Sequence, residues 1–378
     1  MIYLDNAATT KPSQFAVDIF DNICKHQWAN PSSRMYEPGA EAARLISEAR
    51  EIVAEVIGCE PECIVFTSGA TEGANMVMQG FVPRGCERES ALLLSRLEHP
   101  AVYNTALYLR DAGVYLSWLS NDKYGEVTED HVEQQLQKLS DFRRKLVCTI
   151  GANNELGTIN SLRRIAEVVH DESASFLADT TQLVCDPRPL PTVADYMIFS
   201  GHKFGGLRGC GWVYYKDPTS AVPLIHGGHQ ERGLRAGTEN VAAIYATARQ
   251  FEAYRSALEL AYEYLRQLNA FIRGALVALG ARINGGCDTL QTIISATFPG
   301  VSANDVIARL ALDGICLSAG SACSSGEDQP SRVLKAIGMS DEDARSTIRI
   351  SLNASLRQDD AEHFIEKLKG ALEWEESK

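Results

Sequence analysis

No stretch of this 378-residue sequence is apolar for long enough to cross a bilayer. Its first residues, MIYLDNAATTKP, hold no basic region followed by a long apolar run, so no secretory signal is expected. Positive charge is in short supply: 36 Lys and Arg stand against 49 Asp and Glu, a formal net charge of −13. An acidic surface repels phosphate backbones, which argues against nucleic acid as a partner, and offers no basic patch to anionic lipid. Internal repeats, low-complexity tracts and a charged tail are not apparent either, so no solenoid is expected. Metal-ligand spacing is also lacking. Cys59 and Cys63 in GCEPEC could form half a site, but no second Cys or His pair stands nearby, so no metal is expected.

What is present suits a soluble globular protein. Hydrophobic residues make up 45% and charged residues 22%, and the length allows a large core and two domains. Of the 10 cysteines, Cys63, Cys148, Cys185, Cys210 and Cys316 sit inside apolar runs. They read as reduced, buried thiols, so a cytoplasmic location is expected.

The middle of the chain alternates short β-like runs with amphipathic helical ones. The runs CIVFTSG, ALLLSRLEH, KLVCTIGANN, SFLADTTQ, YMIFSGHK and GWVYY predict strands, and GANMVMQGF and LRRIAEVVHDES predict helices between them. This alternation predicts an α/β fold, a mainly parallel sheet covered by helices on both faces. From Val241 to about Leu279 the pattern is helical. Tyr254, Leu258, Ala261, Leu265, Leu268, Ile272 and Leu276 form one stripe on a long helix or a broken pair. A smaller α+β part follows, with TIISATFPG, ANDVIARLALDG, ICLSAG and TIRISLN. The expected division is a large domain over 13–258 and a small one built from 1–12 and 259–378.

Polar residues gather where the predicted strands end. Thr67 to Asn75 form a small-residue, hydroxyl-rich turn into a helix, a pattern that cradles anions. Glu98 and His99 follow the next strand, Asn153, Asn154 and Glu155 another. Asp179 and Gln182 follow a fourth; Ser200, His202 and Lys203 follow a fifth. In open α/β sheets ligands bind beyond the carboxyl ends of the strands, so five consecutive strands would deliver these groups to one rim. One lysine, one carboxylate, one aromatic base and an anion cradle are the parts pyridoxal 5'-phosphate requires. The amine bonds its aldehyde, the carboxylate pairs with its ring nitrogen, and the cradle holds its phosphate.

The ordered motifs YLDNAATT, NPSS, VFTSGATEGAN, EHPAV, NNELGT, ADTTQ, SGHKFGG, QERGLRAGTEN, SAGSACSSG and STIRISL span nearly the whole chain. In this order they resemble the cysteine desulfurases, class V aminotransferase-like enzymes of the aspartate-aminotransferase fold (fold type I). The resemblance implies a pyridoxal phosphate enzyme with the following residues. Lys203 would bind the cofactor covalently, Asp179 pair with the pyridine nitrogen, and Gln182 bond the ring phenolate oxygen. His99 would stack on the ring and serve proton transfer. Thr71, the backbone near Ala70, Ser200 and His202 would hold phosphate, with Thr238 donated by the neighbouring subunit of a homodimer. Asn154 would lie beside ring and substrate, and Arg349 would clamp the substrate carboxylate. Cys323, in a Ser/Gly-rich polar loop, would take sulfur from L-cysteine as a persulfide, leaving L-alanine.

The resemblance also implies a sulfur-acceptor protein, an iron–sulfur scaffold or another carrier. Some positions depart from the family pattern: Tyr36 stands where NPSSxH has histidine, and Leu207-Arg208-Gly209 replaces PKG. The segment after Cys323 is long, as in members that hand persulfide directly to acceptors, and the end EWEESK suggests a short or absent scaffold-gripping extension. Other readings stay open at this point: a selenocysteine lyase or related lyase of the same fold, an accessory subunit that only binds the cofactor, or a cofactor-free α/β module.

Overall fold

From residue 64 to residue 179 strands and helices alternate, as the hydrophobic periodicity predicts for the middle of the chain. The computed structural model describes residues 1–320 and 330–376. The first part comprises β1 (Ile2–Tyr3), α1 (Gln14–His26), α2 (Glu37–Ile57), β2 (Ile64–Thr67), α3 (Ala70–Phe81), β3 (Ser90–Ser95), α4 (Pro100–Asp111) and β4 (Tyr115–Leu119). Then come α5 (Glu129–Gln137), β5 (Arg144–Ile150), α6 (Leu162–Asp171), β6 (Ser175–Asp179), β7 (Tyr196–Ser200), β8 (Gly211–Tyr215) and α7 (Val241–Ala278). The remainder is β9 (Arg282–Asn284), β10 (Ile293–Thr297), α8 (Ala303–Leu312), β11 (Ile315–Cys316), α9 (Arg332–Ala336), α10 (Asp341–Arg345), β12 (Thr347–Ser351) and α11 (Gln358–Glu376).

Seven strands form one sheet in the order β2-β8-β7-β6-β5-β3-β4. β3, β5, β6 and β7 are buried along nearly their whole length, which is why they read as continuous apolar runs rather than alternating ones. The pairs from β4 through β7 are parallel, whereas β8 runs antiparallel to both β7 and β2. Two reversals restore direction, so β2 ends on the same edge as β3, β5, β6 and β7. The five polar strand ends therefore share a rim, but they are not consecutive in the sheet: β8 stands between β2 and β7. β4 was not read from the sequence. As an edge strand it is mostly half-exposed, so it shows no unbroken apolar run.

The stripe from Tyr254 to Leu276 belongs to one unbroken helix of 38 residues rather than a pair. Its sequence has no proline and is rich in Ala, Leu, Glu and Arg, all strong helix formers. Asn240 caps it, accepting from the Ala243 N–H at 3.2 Å. Val241 to Phe251 pack with the helices on one face of the large sheet. Leu265, Leu268, Ile272 and Leu276 pack in a second core with β10, β12, α8 and α11. That second core surrounds the antiparallel sheet β12-β10-β9. ICLSAG supplies only a two-residue strand, β11, paired in parallel with β1. Accordingly Cys316 is half-buried, not enclosed like Cys63, Cys148, Cys185 and Cys210.

Candidate active site

β7 ends at Ser200, and the chain turns at once through a short 3₁₀ segment, Gly201–Lys203. That turn lifts Lys203 over the rim. Its Nζ donates to the Ala7 carbonyl at 2.6 Å and to the Ala8 carbonyl at 2.9 Å. The lysine borders a cavity of about 330 Å³ whose walls include Ala7, Ala8, Ala70, Thr71, His99, Asn154, Asp179, Gln182, Ser200, His202 and Arg349. One cavity thus holds every sequence-predicted site residue except two. Thr238 is exposed and lies outside it. Cys323 lies outside the described residues.

Each wall has a local cause. Gly69 begins α3 with φ 149° and ψ −179°, a conformation essentially limited to glycine. A Cβ at Gly69 would lie 3.1 Å from Ser200 Oγ. Gly211 faces it across the rim, and a Cβ there would come within 2.7 Å of Gly69 Cα. The two glycines let the strand ends close around Ser200, whose Oγ accepts from the Ala70 N–H at 2.9 Å. The first turn of α3, Ala70 and Thr71, then borders the cavity, and a helix start of this kind can receive an anion.

His99 caps α4, its Nδ1 accepting from the Ala101 N–H at 3.1 Å. An accepting Nδ1 leaves the ring proton of neutral imidazole on Nε2. Burial lowers its pKa, the nearby Asp179 carboxylate opposes that shift, and Lys203 adds to it. His202 is also driven to the neutral form: burial first, then Lys203, Arg208 and His99, bring it down to about 4. Its Nδ1 lies 3.1 Å from Thr9 Oγ1.

Asp179 closes β6 and is buried, with Oδ1 accepting from the Thr181 N–H at 2.9 Å. Gln182 donates to the Ala7 carbonyl at 2.8 Å. Arg349 comes from β12, in the second core, and is 1% exposed. It donates to the Asn154 carbonyl at 3.0 Å and pairs with Asp5 Oδ1 at 2.7 Å.

Sequence reading gave no role to Asp5 or to the Ala7 and Ala8 carbonyls, although YLDNAATT was among the motifs quoted. Nothing in that motif says that its backbone crosses the cavity. The signal is only its run of small residues, which lets the chain lie against Lys203.

The donor set fits pyridoxal phosphate. An amine borders the cavity, a buried carboxylate can neutralise a protonated ring nitrogen, and a flanking imidazole can face a ring. A glycine-lined helix start can receive a phosphate. Among the described residues no cluster of three or more metal-ligating side chains is present.

Comparison with known proteins agrees with this geometry. Residues 2–364 match the family model for class-V aminotransferases. The chain is 32% identical to cysteine desulfurase IscS of Methanosarcina thermophila, over 97% of this chain and 90% of that protein. A solved NifS-like protein superposes with a TM-score of 0.91 at 30% identity, covering 99% of both chains. A structure described as SspA in complex with cysteine superposes with a TM-score of 0.82 at 30% identity, over 93% of this chain and 99% of that one. Matched from end to end in sequence and in fold, the chain belongs to the aminotransferase class-V family, whose members work with pyridoxal phosphate.

Proposed function

We propose that this protein is a cysteine desulfurase: it converts L-cysteine to L-alanine and passes the sulfur to Cys323 as a persulfide. The observation that carries the reading is the convergence of Lys203, Asp179, His99 and Arg349, from four separate elements, on one cavity of about 330 Å³. The relatives named as cysteine desulfurases and the neighbour bound to cysteine support the choice of substrate.

When bound, pyridoxal phosphate supplies an electron sink that lets bonds at the substrate α-carbon, and then the carbon–sulfur bond, be broken. Lys203 is the group that would bond the cofactor. Asp179 would hold the ring nitrogen in its protonated form, and Gln182 would bond the ring oxygen. Thr71, the start of α3, Ser200 and His202 would receive the phosphate. A neutral His202 adds a donor without adding charge. Arg349 would bind the substrate carboxylate through its guanidinium, already oriented by Asp5 and the Asn154 carbonyl. His99 and the Lys203 amine would move protons at the substrate carbons.

Sulfur transfer balances without an added oxidant. The Cys323 thiolate bonds to the substrate sulfur, the carbon–sulfur bond breaks, and its electron pair stays with the substrate carbon, which takes a proton to become alanine. Enzyme thiol plus cysteine gives enzyme persulfide plus alanine.

The same reading includes a homodimer with Thr238 of one copy serving the other's cofactor. In that dimer the exposed Thr238 would meet the partner's cofactor. It also includes a division into domains 13–258 and 1–12 with 259–378, supported by the two cores that α7 bridges. A cytoplasmic enzyme that feeds iron–sulfur cluster assembly, or another sulfur carrier, completes it.

The test is direct. The protein loaded with pyridoxal phosphate should show a visible absorbance band, and should release alanine and sulfide from cysteine in the presence of a reducing thiol. Lys203→Ala should lose both the band and the turnover. Full turnover by Lys203→Ala would refute the reading.

A further inference from the structure

The segment carrying Cys323 leaves the described fold at Gly320 and rejoins it before Ser331. Both stems meet at one buried carboxyl. Ser331 Oγ donates to Glu155 Oε2 at 2.5 Å. The same hydroxyl accepts from the N–H groups of Val333 and Leu334, at 3.1 and 3.3 Å, and so caps α9. Gly320 has φ 59°, and a Cβ there would lie 3.3 Å from Glu155 Oε2 and 3.3 Å from Ser331 Cβ. Incoming chain, carboxyl and outgoing helix cap are therefore packed against one another.

Glu155 is itself firmly held. It is 3% exposed, and it stands in a turn whose N–H groups, its own and that of Leu156, donate to Asn153 Oδ1 at 2.9 and 3.0 Å. Leu156 joins Leu97, Val333 and Leu334 in a small apolar cluster that seats α9. Arg332 secures the far side, donating to the Glu98 carbonyl at 2.5 Å and lying over the Tyr103 ring at 3.9 Å. Burial pushes the Glu155 carboxyl up, while the Ser331 hydrogen bond, Arg349 and Arg332 oppose that shift.

Apolar side chains could join the same elements without burying a carboxyl. The carboxyl adds a directional hold at the point where both stems meet, next to Asn154 in the cavity wall. We infer that Glu155 is a positioning residue that holds the outgoing stem of the 321–329 segment through Ser331, with Gly320 of the incoming stem packed against it, and so sets the effective concentration of the Cys323 thiol at the substrate sulfur. The inference rests on the persulfide reading. Small misplacements of reacting groups have large effects on rate, so the anchoring of the residues that flank a reacting group matters.

The test compares Glu155→Ala, Glu155→Gln, Ser331→Ala and Cys323→Ser as pyridoxal phosphate-loaded full-length enzymes. Two quantities are measured: the absorbance change on adding cysteine, and alanine formed at saturating cysteine. Glu155→Ala and Ser331→Ala should each lower alanine formation by about 10–100-fold. The cysteine concentration giving half the absorbance change should stay within about twofold. Glu155→Gln keeps an oxygen acceptor for Ser331 and should restore most of the rate. Wild-type alanine formation by Glu155→Ala, or by Ser331→Ala if the former fails to fold, would overturn the inference. So would loss of the absorbance response, which would assign Glu155 to the cofactor or substrate pocket instead. Continued alanine formation by Cys323→Ser would sink the persulfide reading itself, a result distinct from either.

Discussion

Burial drives Glu98 and His202 to opposite protonation choices with one consequence, since both are neutral at pH 7. Glu98, directly before His99, is 1% exposed, and its Oε1 accepts from Ser95 Oγ at 2.7 Å and the Ile150 N–H at 2.9 Å. Burial is the main cause that raises its carboxyl from the ordinary 4.5 to about 8; those two bonds and Arg332 pull down, and the Asp179 charge pushes up. Between these values the folded state keeps a proton that the unfolded chain has released. Its stabilising contribution is complete below pH 4.5 and is lost as pH rises through about 8. One such group gives a slope of up to ~1.4 kcal/mol per pH unit. His202 runs the other way. Its folded value of about 4 lies below the ordinary 6.5, so its contribution is present above 6.5 and is lost as pH falls through about 4. Glu98→Gln, which stays neutral, should flatten the alkaline side of the stability profile, measured by urea unfolding at about pH 6 and about pH 9. Identical slopes for wild type and variant would show that Glu98 does not carry that proton.

At the scale of the element, the strand ends deliver the chemistry and the glycines let them close. The five strands that end at the rim were legible because burial on both faces makes each an unbroken apolar run bounded by polar or small residues. The inserted antiparallel β8 was not legible in direction, because GWVYY reads the same either way. Gly69 shows how tightly the rim is drawn. Gly69→Ala would force a side chain into φ 149° against Ser200 Oγ, about 1–3 kcal/mol of strain at the start of α3. The expected result is weaker retention of pyridoxal phosphate by roughly 5–100-fold, with helix content unchanged. Cofactor titration followed by absorbance, together with far-ultraviolet circular dichroism, measures both. Unchanged cofactor affinity would mean that the closure at Gly69 does not shape the phosphate cradle.

Across the whole molecule, the cavity draws on both cores: Lys203 and Asp179 come from the large sheet, Arg349 from β12. The loop bearing Thr238 belongs to neither sheet, yet it is anchored. Arg50 meets Glu231 in a buried ion pair, with contacts at 2.8 and 2.6 Å, and Glu231 also accepts from the Phe66 N–H on β2 at 2.8 Å. Arg235 pairs with Glu72 of α3 at 3.0 Å. The loop is thus tied to β2 and α3, while Thr238 itself is exposed. Sedimentation should find a species of twice the 41.3 kDa chain mass. Thr238→Ala should weaken cofactor retention without dissociating that species. A cofactor-loaded, active monomer would refute the shared-site arrangement.

The sequence by itself determined the α/β alternation of the middle of the chain, the strand ends and which polar side chains stand at them. These are short-range properties: periodicities of 2 and 3.6 residues mark the elements, and Lys203, Asp179 and His99 each sit within a few residues of a strand end. Tertiary structure alone decided what those side chains touch. Asp5 and Arg349 pair across 344 residues, and Glu155 and Ser331 bond across 176. It also decided that the backbone of Ala7 and Ala8 lies against the lysine, and that one helix carries both cores. No local pattern encodes such contacts. They form only when burial of the apolar faces brings distant segments together, and the polar groups enclosed with them must then find partners among whatever is nearest.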